Sequence, residues 1–376
     1  MNLSIPMQGL IPAEIRKIFE IFFMMLVVAC WSSYSHADTF KYDVMLLSEL
    51  EGFDRFNIES GRPVKDSQID FEEDLFATAA LNDWHVLFEG LIGAVSGGEV
   101  EADVERLIVG RDLAEENRLW LGRYHLPLDA WNLNFHHGTY LKTSIGRPGI
   151  IDWEDHGAPV PTHVTGGLLE GAWHLDDPSV LSYHISLGLS PVYRNDHLDP
   201  LDLLEPLSQD NRLLAALRIA YKPHEFLADE TGLVVAASEI PFNQGTLRES
   251  RLNLLGAFVF LEQQGWEWIS SLFLVDTASR FRSGGKHDDR FANGYLQAAY
   301  QLSNDWKVYG RLEGSVGLRD SLYLEQFREF VQGRQILGIR YEITGGQAIK
   351  LQWDNAVRTR SGHFDQLSIE WSGVLK

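Results

Sequence analysis

Between residues 337 and 354 apolar and polar positions take turns. Leu337, Ile339, Tyr341 and Ile343 alternate with Gly338, Arg340, Glu342 and Thr344, and beyond Gly345-Gly346 the residues Ile349, Leu351 and Trp353 alternate with Lys350, Gln352 and Asp354. A period of two sends successive side chains to opposite faces of a strand, and a glycine pair tolerates the positive φ of a tight hairpin turn. The segment predicts a β-hairpin with one apolar face. The same reading along the chain predicts about sixteen strands, near 40–50, 69–80, 84–95, 103–112, 117–127, 164–175, 180–191, 211–222, 230–240, 249–262, 266–279, 290–302, 306–318, 331–344, 347–358 and 364–376.

The connections narrow the architecture. Asn82-Asp83, Asp176-Asp177-Pro178, Gln263-Gln264-Gly265, Ser303-Asn304-Asp305 and Gly345-Gly346 are tight turns, whereas 128–163, 193–210, 280–289 and 319–330 are longer. Short and long connections alternate, as they do when one end of an up-and-down barrel faces the periplasm and the other faces outward. Trp84, Trp173, Trp266 and Trp306 each stand within a few residues of a tight turn, where an interfacial aromatic girdle belongs. A soluble β-sandwich accounts poorly for strands this long and this numerous. The fold class expected is all-β: a transmembrane up-and-down antiparallel barrel of about sixteen strands, fourteen to eighteen being admissible, with a long loop folded toward the lumen.

Composition agrees. The chain has 376 residues, 45% hydrophobic and 23% charged, with one cysteine, so neither disorder nor a disulfide framework fits. No run of eighteen apolar residues follows residue 31, which excludes a spanning helix there. The net charge of −21, from 32 basic and 53 acidic residues, argues against a nucleic-acid partner because phosphate would be repelled. At the start, Arg16 and Lys17 precede the apolar run Ile21–Trp31 and then Ser35-His36-Ala37, so residues 1–37 read as a cleavable secretory signal. Val27-Val28-Ala29-Cys30 offers lipidation at Cys30 as the alternative. Residues 38–376 are expected to form a single outer-membrane barrel domain.

Three stretches resemble the bacterial outer-membrane porins and porin-like barrels: Leu119-Trp120-Leu121-Gly122-Arg123-Tyr124 running into a loop at Pro127, the strand start Asp305-Trp306-Lys307-Val308-Tyr309-Gly310-Arg311, and the hairpin from Arg340 to Trp353. The resemblance implies a sixteen-stranded, trimeric barrel whose third external loop narrows the pore. Here the third long connection, 128–163, is also the longest. It further implies a passive channel for small hydrophilic solutes or ions, in contact with outer-membrane lipid and lipopolysaccharide. Two other classes stay open: a non-conducting barrel with a structural or adhesive role, and a barrel-embedded hydrolase. For the latter no G-x-S-x-G elbow, phosphate loop or H-E-x-x-H pair is present.

Strand parity then assigns faces. With Leu181, Tyr183, Ile185, Leu187 and Leu189 toward lipid, Ser182, His184, Ser186 and Ser190 turn inward. The rule puts Asp70, Glu72, Asp74, His85, Glu89 and Glu170 inside from the early strands. From the later strands it puts Arg212, Arg218, Lys222, Arg251, Lys307, Arg311, Arg340 and Lys350 inside, with Glu313, Glu342 and Asp354 among them. The long loop carries Asp129, Asp152, Glu154 and Asp155. An acidic loop facing a basic wall of Arg212, Arg218, Arg251, Lys307 and Arg311 is the expected constriction, since opposed charges across a narrow gap select by charge and size. Local wall salt bridges are the plainer role for the same residues. Seven of the 13 histidines, His125, His136, His137, His156, His163, His174 and His184, gather between 125 and 184 and, with Asp152, Glu154 and Asp155 nearby, offer ligands for zinc or copper, but the adjacent pair His136-His137 has no recognised metal spacing and no metal site is expected. No cofactor is expected.

Overall fold

The computed structural model describes residues 40–59, 67–96, 98, 100–114, 116–135, 138–175, 178–201, 210–318, 321–343, 345–359 and 362–375. The expected signal, Cys30 and the pair His136-His137 lie outside the described residues.

Sixteen strands close into one barrel, each antiparallel to its neighbours. They are β1 (Lys41–Glu59), β2 (Ser67–Leu81), β3 (Trp84–Val95), β4 (Val100–Asp112), β5 (Arg118–His125), β6 (His163–His174), β7 (Val180–Leu189), β10 (Leu213–Lys222), β11 (Glu230–Pro241), β12 (Leu247–Gln263), β13 (Trp266–Phe281), β14 (Lys286–Gln301), β15 (Trp306–Val316), β16 (Val331–Glu342), β17 (Gln347–Arg358) and β18 (Gly362–Leu375). Pairing of β1 with β18, from Leu46 opposite Leu375 to Glu59 opposite His363, leaves no open edge. Closure lets each strand pair its backbone with a neighbour on both sides, as a hydrocarbon surrounding demands. The all-β barrel expected from the alternation is the fold observed. β1 runs on to Glu59, beyond its expected end near 50, and a small hairpin, β8 (Val192–Arg194) with β9 (His197–Asp199), stands in a connection expected to be irregular.

The turns follow their sequences. Asn82 takes φ 53°, and Gln264 and Gly265 take 53° and 79°, the left-handed geometry that two-residue hairpins need. Gly345 and Gly346 take 68° and 81° between β16 and β17.

Outside, Ile185, Leu187, Leu255, Leu272, Leu312, Leu337, Leu351 and Ile369 are exposed, each between inward neighbours on its strand. An apolar belt of this extent is disfavoured in water by roughly 25 cal/mol per Å² and is at home against lipid tails. Trp84, Trp173, Trp266 and Trp306 are exposed at the short-turn end, and three of them lie against tyrosines: Trp173 on Tyr183, Trp266 on Tyr300 and Trp306 on Tyr341, with ring centroids 4.3, 4.7 and 4.6 Å apart.

The connection between β5 and β6, residues 126–162, folds into the barrel. It contains one short helix, α1 (Ala130–Asn134), and residues 149–151 form a single 3-10 turn. Leu126, Leu128, Ala130 and Trp131 of this loop pack with Phe258, Phe260, Ile269, Phe273, Phe291 and Tyr295 from β12, β13 and β14, so one side of the lumen is a dry apolar core.

Candidate functional site

The inserted loop is held to the wall chiefly through its backbone. Arg340 donates to the carbonyls of Tyr140 and Lys142 at 2.7 and 2.6 Å, and Lys350 donates to that of Thr139 at 2.5 Å. Arg311 donates to the carbonyl of Arg147 at 3.1 Å, and Arg334 reaches the same oxygen. In return, wall acceptors take loop N–H and O–H groups: Glu313 from the Gly149 amide at 2.7 Å, Gln352 from the Ile145 amide at 2.9 Å, and Glu267 from the Thr143 hydroxyl at 2.7 Å. A loop crossing a lumen has backbone dipoles to satisfy, and cations of the later strands satisfy them.

The basic wall therefore grips loop carbonyls, not loop carboxylates. Arg311 is fully enclosed, with Glu313 at 2.8 Å and the Trp131 ring at 5.3 Å. Arg218 pairs with Glu230 and lies 4.4 Å from the Phe258 ring centre, within the wall. Lys307 pairs with Glu267 at 3.1 Å. Asp129 is buried and caps α1, accepting from the Asn132 amide at 2.8 Å, from Ser271 at 2.7 Å and from the Tyr295 hydroxyl at 2.6 Å. Burial pushes the Asp129 carboxyl up, although these hydrogen bonds oppose the shift.

Two expected wall residues stand elsewhere. Arg251, read as inward, projects outward and meets Glu239 at 3.5 Å; Arg212, just ahead of β10, lies 3.9 Å from the same carboxylate. For Arg251 the reason is that β12 is apolar on both faces. Leu252, Leu254, Phe258 and Phe260 fill the inside while Leu255 is exposed outside, so hydrophobic alternation could not fix the parity.

Opposite the apolar core, between the loop and strands β1–β4, β17 and β18, lies a cavity of about 620 Å³. Twelve carboxylates and six lysines or arginines line it. Glu49, Glu51, Asp70, Glu72, Asp103 and Glu105 come from the early strands; Lys142, Arg147, Asp152, Glu154 and Asp155 come from the loop. The wall facing open space is thus the acidic one, and the loop presents charge of both signs. Arg147 lies 4.3 Å from the centre of the Trp153 ring, and its guanidinium donates to Asn132 at 2.9 Å. Burial would raise the Glu154 carboxyl, but the His163 charge and hydrogen bonds from the His163 ring and Thr162 pull it down to about 2.

Sequence reasoning missed Glu105, Arg123, Lys142, Arg147 and Arg334. Glu105 follows Asp103 inward by alternation, and a bulge then brings Arg106 to the same face: Glu89 pairs with Arg106 and Gly90 with Val104, leaving Glu105 without a register partner on β3. Gly122, at φ 137°, permits an irregularity in β5 that no other residue adopts easily, and beyond it Arg123 meets Asp103 at 3.0 Å. Sequence reasoning also missed Glu49, Glu51 and Asp103, although Glu49 and Glu51 alternate with Leu50 and Gly52 along β1.

Among solved structures, the anion-selective porin from Comamonas acidovorans superposes with a TM-score of 0.58 at 10% identity, covering 90% of this chain and 100% of that one. The chain has a porin-like barrel fold. OmpF of Salmonella typhi, in complex with daunomycin, gives a TM-score of 0.56 at 12% identity over 90% of this chain and 100% of its own. OmpT, an outer membrane protein of Vibrio cholerae in its trimer form, gives 0.55 at 8% identity over 90% and 100%. No family model matches this porin-like chain, and no curated protein matches it in sequence. At such identities the shared property is the fold.

Proposed function

We propose that the protein is an outer-membrane porin through which small hydrophilic solutes diffuse passively, with cations favoured over anions. The observation that carries this reading is the cavity beside the inserted loop, whose lining holds twice as many carboxylates as lysines and arginines. Carboxylates around a narrow low-dielectric passage concentrate cations and repel anions. No covalent chemistry is part of the reading. The loop sets the size limit, with Asp152, Glu154 and Asp155 at its cavity edge and Arg311 holding it in place. The barrel would reside in lipid and lipopolysaccharide as a homotrimer, by analogy with the trimer form of OmpT.

Reconstitution in a planar bilayer under a KCl gradient tests it. The expected result is a stable ohmic current whose reversal potential favours potassium, with the permeability ratio lowered roughly twofold or more in an Asp70→Asn/Asp152→Asn variant. Anion preference in the unaltered protein would sink the cation reading. A second reading, a non-conducting structural barrel, draws on the apolar core that seals one side of the lumen; absence of any current from correctly folded protein would favour it.

A further inference from the structure

We propose that Glu105, His125 and His163 form a binding site for a zinc-like divalent cation in the inner wall of the barrel, open on one side to the lumen cavity. The three residues lie on β4, β5 and β6. His125 and His163 are register partners across β5 and β6, and their rings stand 5.0 Å apart at 78°. Glu105 joins them from the β4 bulge, on the inner face with Asp103, and its carboxylate lies 2.9 Å from His163 Nε2. One ligand atom from each residue falls within 4.8 Å of the others. Zinc bonds of about 2.0–2.2 Å put tetrahedral ligands about 3.4 Å apart, so side-chain rotations of roughly 1 Å bring the set to bonding distance.

The surroundings suit a metal. Glu154 accepts from His163 Nδ1 at 2.7 Å, which fixes the ring and directs Nε2 toward Glu105. A carboxylate behind the imidazole in this way is the usual outer partner of a metal-bound histidine. Trp153 lies parallel to the His163 ring, 10° between planes and 6.2 Å between centres, and limits its rotation. Glu89 stands 3.9 Å from His125 Nε2 and supplies a further negative charge. Opposing charge comes from Arg123, 3.7 Å from Glu105, and from Arg106, which is paired with Glu89. Two imidazole nitrogens with one carboxylate oxygen select zinc-like ions over magnesium or calcium, which prefer oxygen ligands. Because Glu105 and His163 line the cavity, a fourth ligand, water or a solute group, has access from the lumen. The sequence gives no motif for the site because it is assembled by strand register and a bulge.

Without a metal the same geometry serves as a plain bridge, His163 held between Glu105 and Glu154, and the experiment separates the two. The full-length barrel in detergent, stripped with EDTA and exchanged into chelator-free buffer, is titrated with Zn²⁺ by calorimetry and with Co²⁺ by visible absorption. One site of micromolar affinity is expected, with the intense Co²⁺ bands of four-coordination and no competition from excess Mg²⁺. His125→Ala and Glu105→Gln should each weaken zinc binding at least tenfold, and Glu154→Gln roughly 10- to 100-fold, whereas His197→Ala, elsewhere on the cavity lining, should leave it unchanged. Circular dichroism and heat-dependent gel mobility check folding; if His125→Ala does not fold, Glu105→Gln, which preserves shape, decides. Zinc binding no tighter than millimolar, or variants that bind as the unaltered protein does, would overturn the site. Binding is read without current, so its failure leaves the conduction reading intact.

Discussion

The two sides of the lumen solve the same problem in opposite ways. Along β12–β14 the inner wall carries Phe258, Phe260, Ile269, Phe273 and Phe291, and the inserted loop answers with Leu126, Leu128 and Trp131, so water is excluded. Along β1–β4 the inner wall carries Glu49, Glu51, Asp70, Glu72, Asp103 and Glu105, and the loop, touching β2 where the Gly138 amide donates to Asp74 at 3.3 Å, leaves a cavity between itself and these carboxylates. Between them, Arg311, Arg334, Arg340 and Lys350 bind the loop's carbonyls and fix its path. The wall's chemistry decides where the loop lies, and the loop's position decides where a passage remains. A barrel lined with carboxylates all round would give a loop of this composition no apolar surface to rest on.

Removing the apolar anchor should have the largest effect. Trp131 is fully buried, edge-on to Phe135 and Tyr295 at 5.8 and 6.4 Å and beneath the Arg311 guanidinium. Trp131→Ala should cost about 3–5 kcal/mol of loop anchoring. The barrel should still form, because its strands pair independently of the loop, and single-channel conductance should rise with added current noise as the loop leaves its seat. Unchanged conductance together with an unchanged thermal transition would show that the apolar side does not hold the loop.

How much of this was legible in the sequence follows from which forces act locally. The strands and turns were readable because alternation and positive-φ residues such as Gly345-Gly346 are local signals. The inward position of Asp70 was readable for the same reason, since it sits between Ile69 and Phe71, both exposed on the outer face; Glu72 and Asp74 follow from it at a spacing of two. Arg251 was misplaced because β12 is apolar on both faces, its inside being core for the loop. The pairing of loop with wall was not readable at all: charge patterns suggested carboxylates opposite arginines, whereas the arginines satisfy backbone carbonyls, whose demand every sequence shares.

Acid should act at the seam between the two sides. Glu154 holds His163 and the Thr162 and His163 amides, at 2.7, 2.7 and 2.8 Å, where the loop re-enters β6. Its carboxyl is held at about 2, below the ordinary value of 4.5. A depressed carboxylate stabilises the folded arrangement fully above the unfolded value and loses that contribution as the pH falls toward the folded one. Up to about 3 kcal/mol of anchoring should therefore disappear between roughly pH 5 and pH 2. Conductance noise measured down that range should increase in the unaltered protein and be nearly flat in Glu154→Gln. Equal acid responses in both would place the titrating group elsewhere.

The smallest effect is expected outside both regions. Arg251 and Arg212 share Glu239 on the outer side of the barrel, and the Arg251 side chain is 63% exposed. Exposed ion pairs contribute about 0–1 kcal/mol, because solvent screens the attraction and two long side chains must be ordered to form it. Arg251→Ala should leave the reversal potential and conductance unchanged and the thermal transition nearly so. Arg218→Ala, by contrast, removes the partner of Glu230 in a buried wall pair and should destabilise the protein by about 3–5 kcal/mol. The contrast holds only if β12 keeps its leucines and phenylalanines inward. A selectivity change in Arg251→Ala would mean that this arginine faces the lumen after all, and the apolar side of the comparison would lose its foundation.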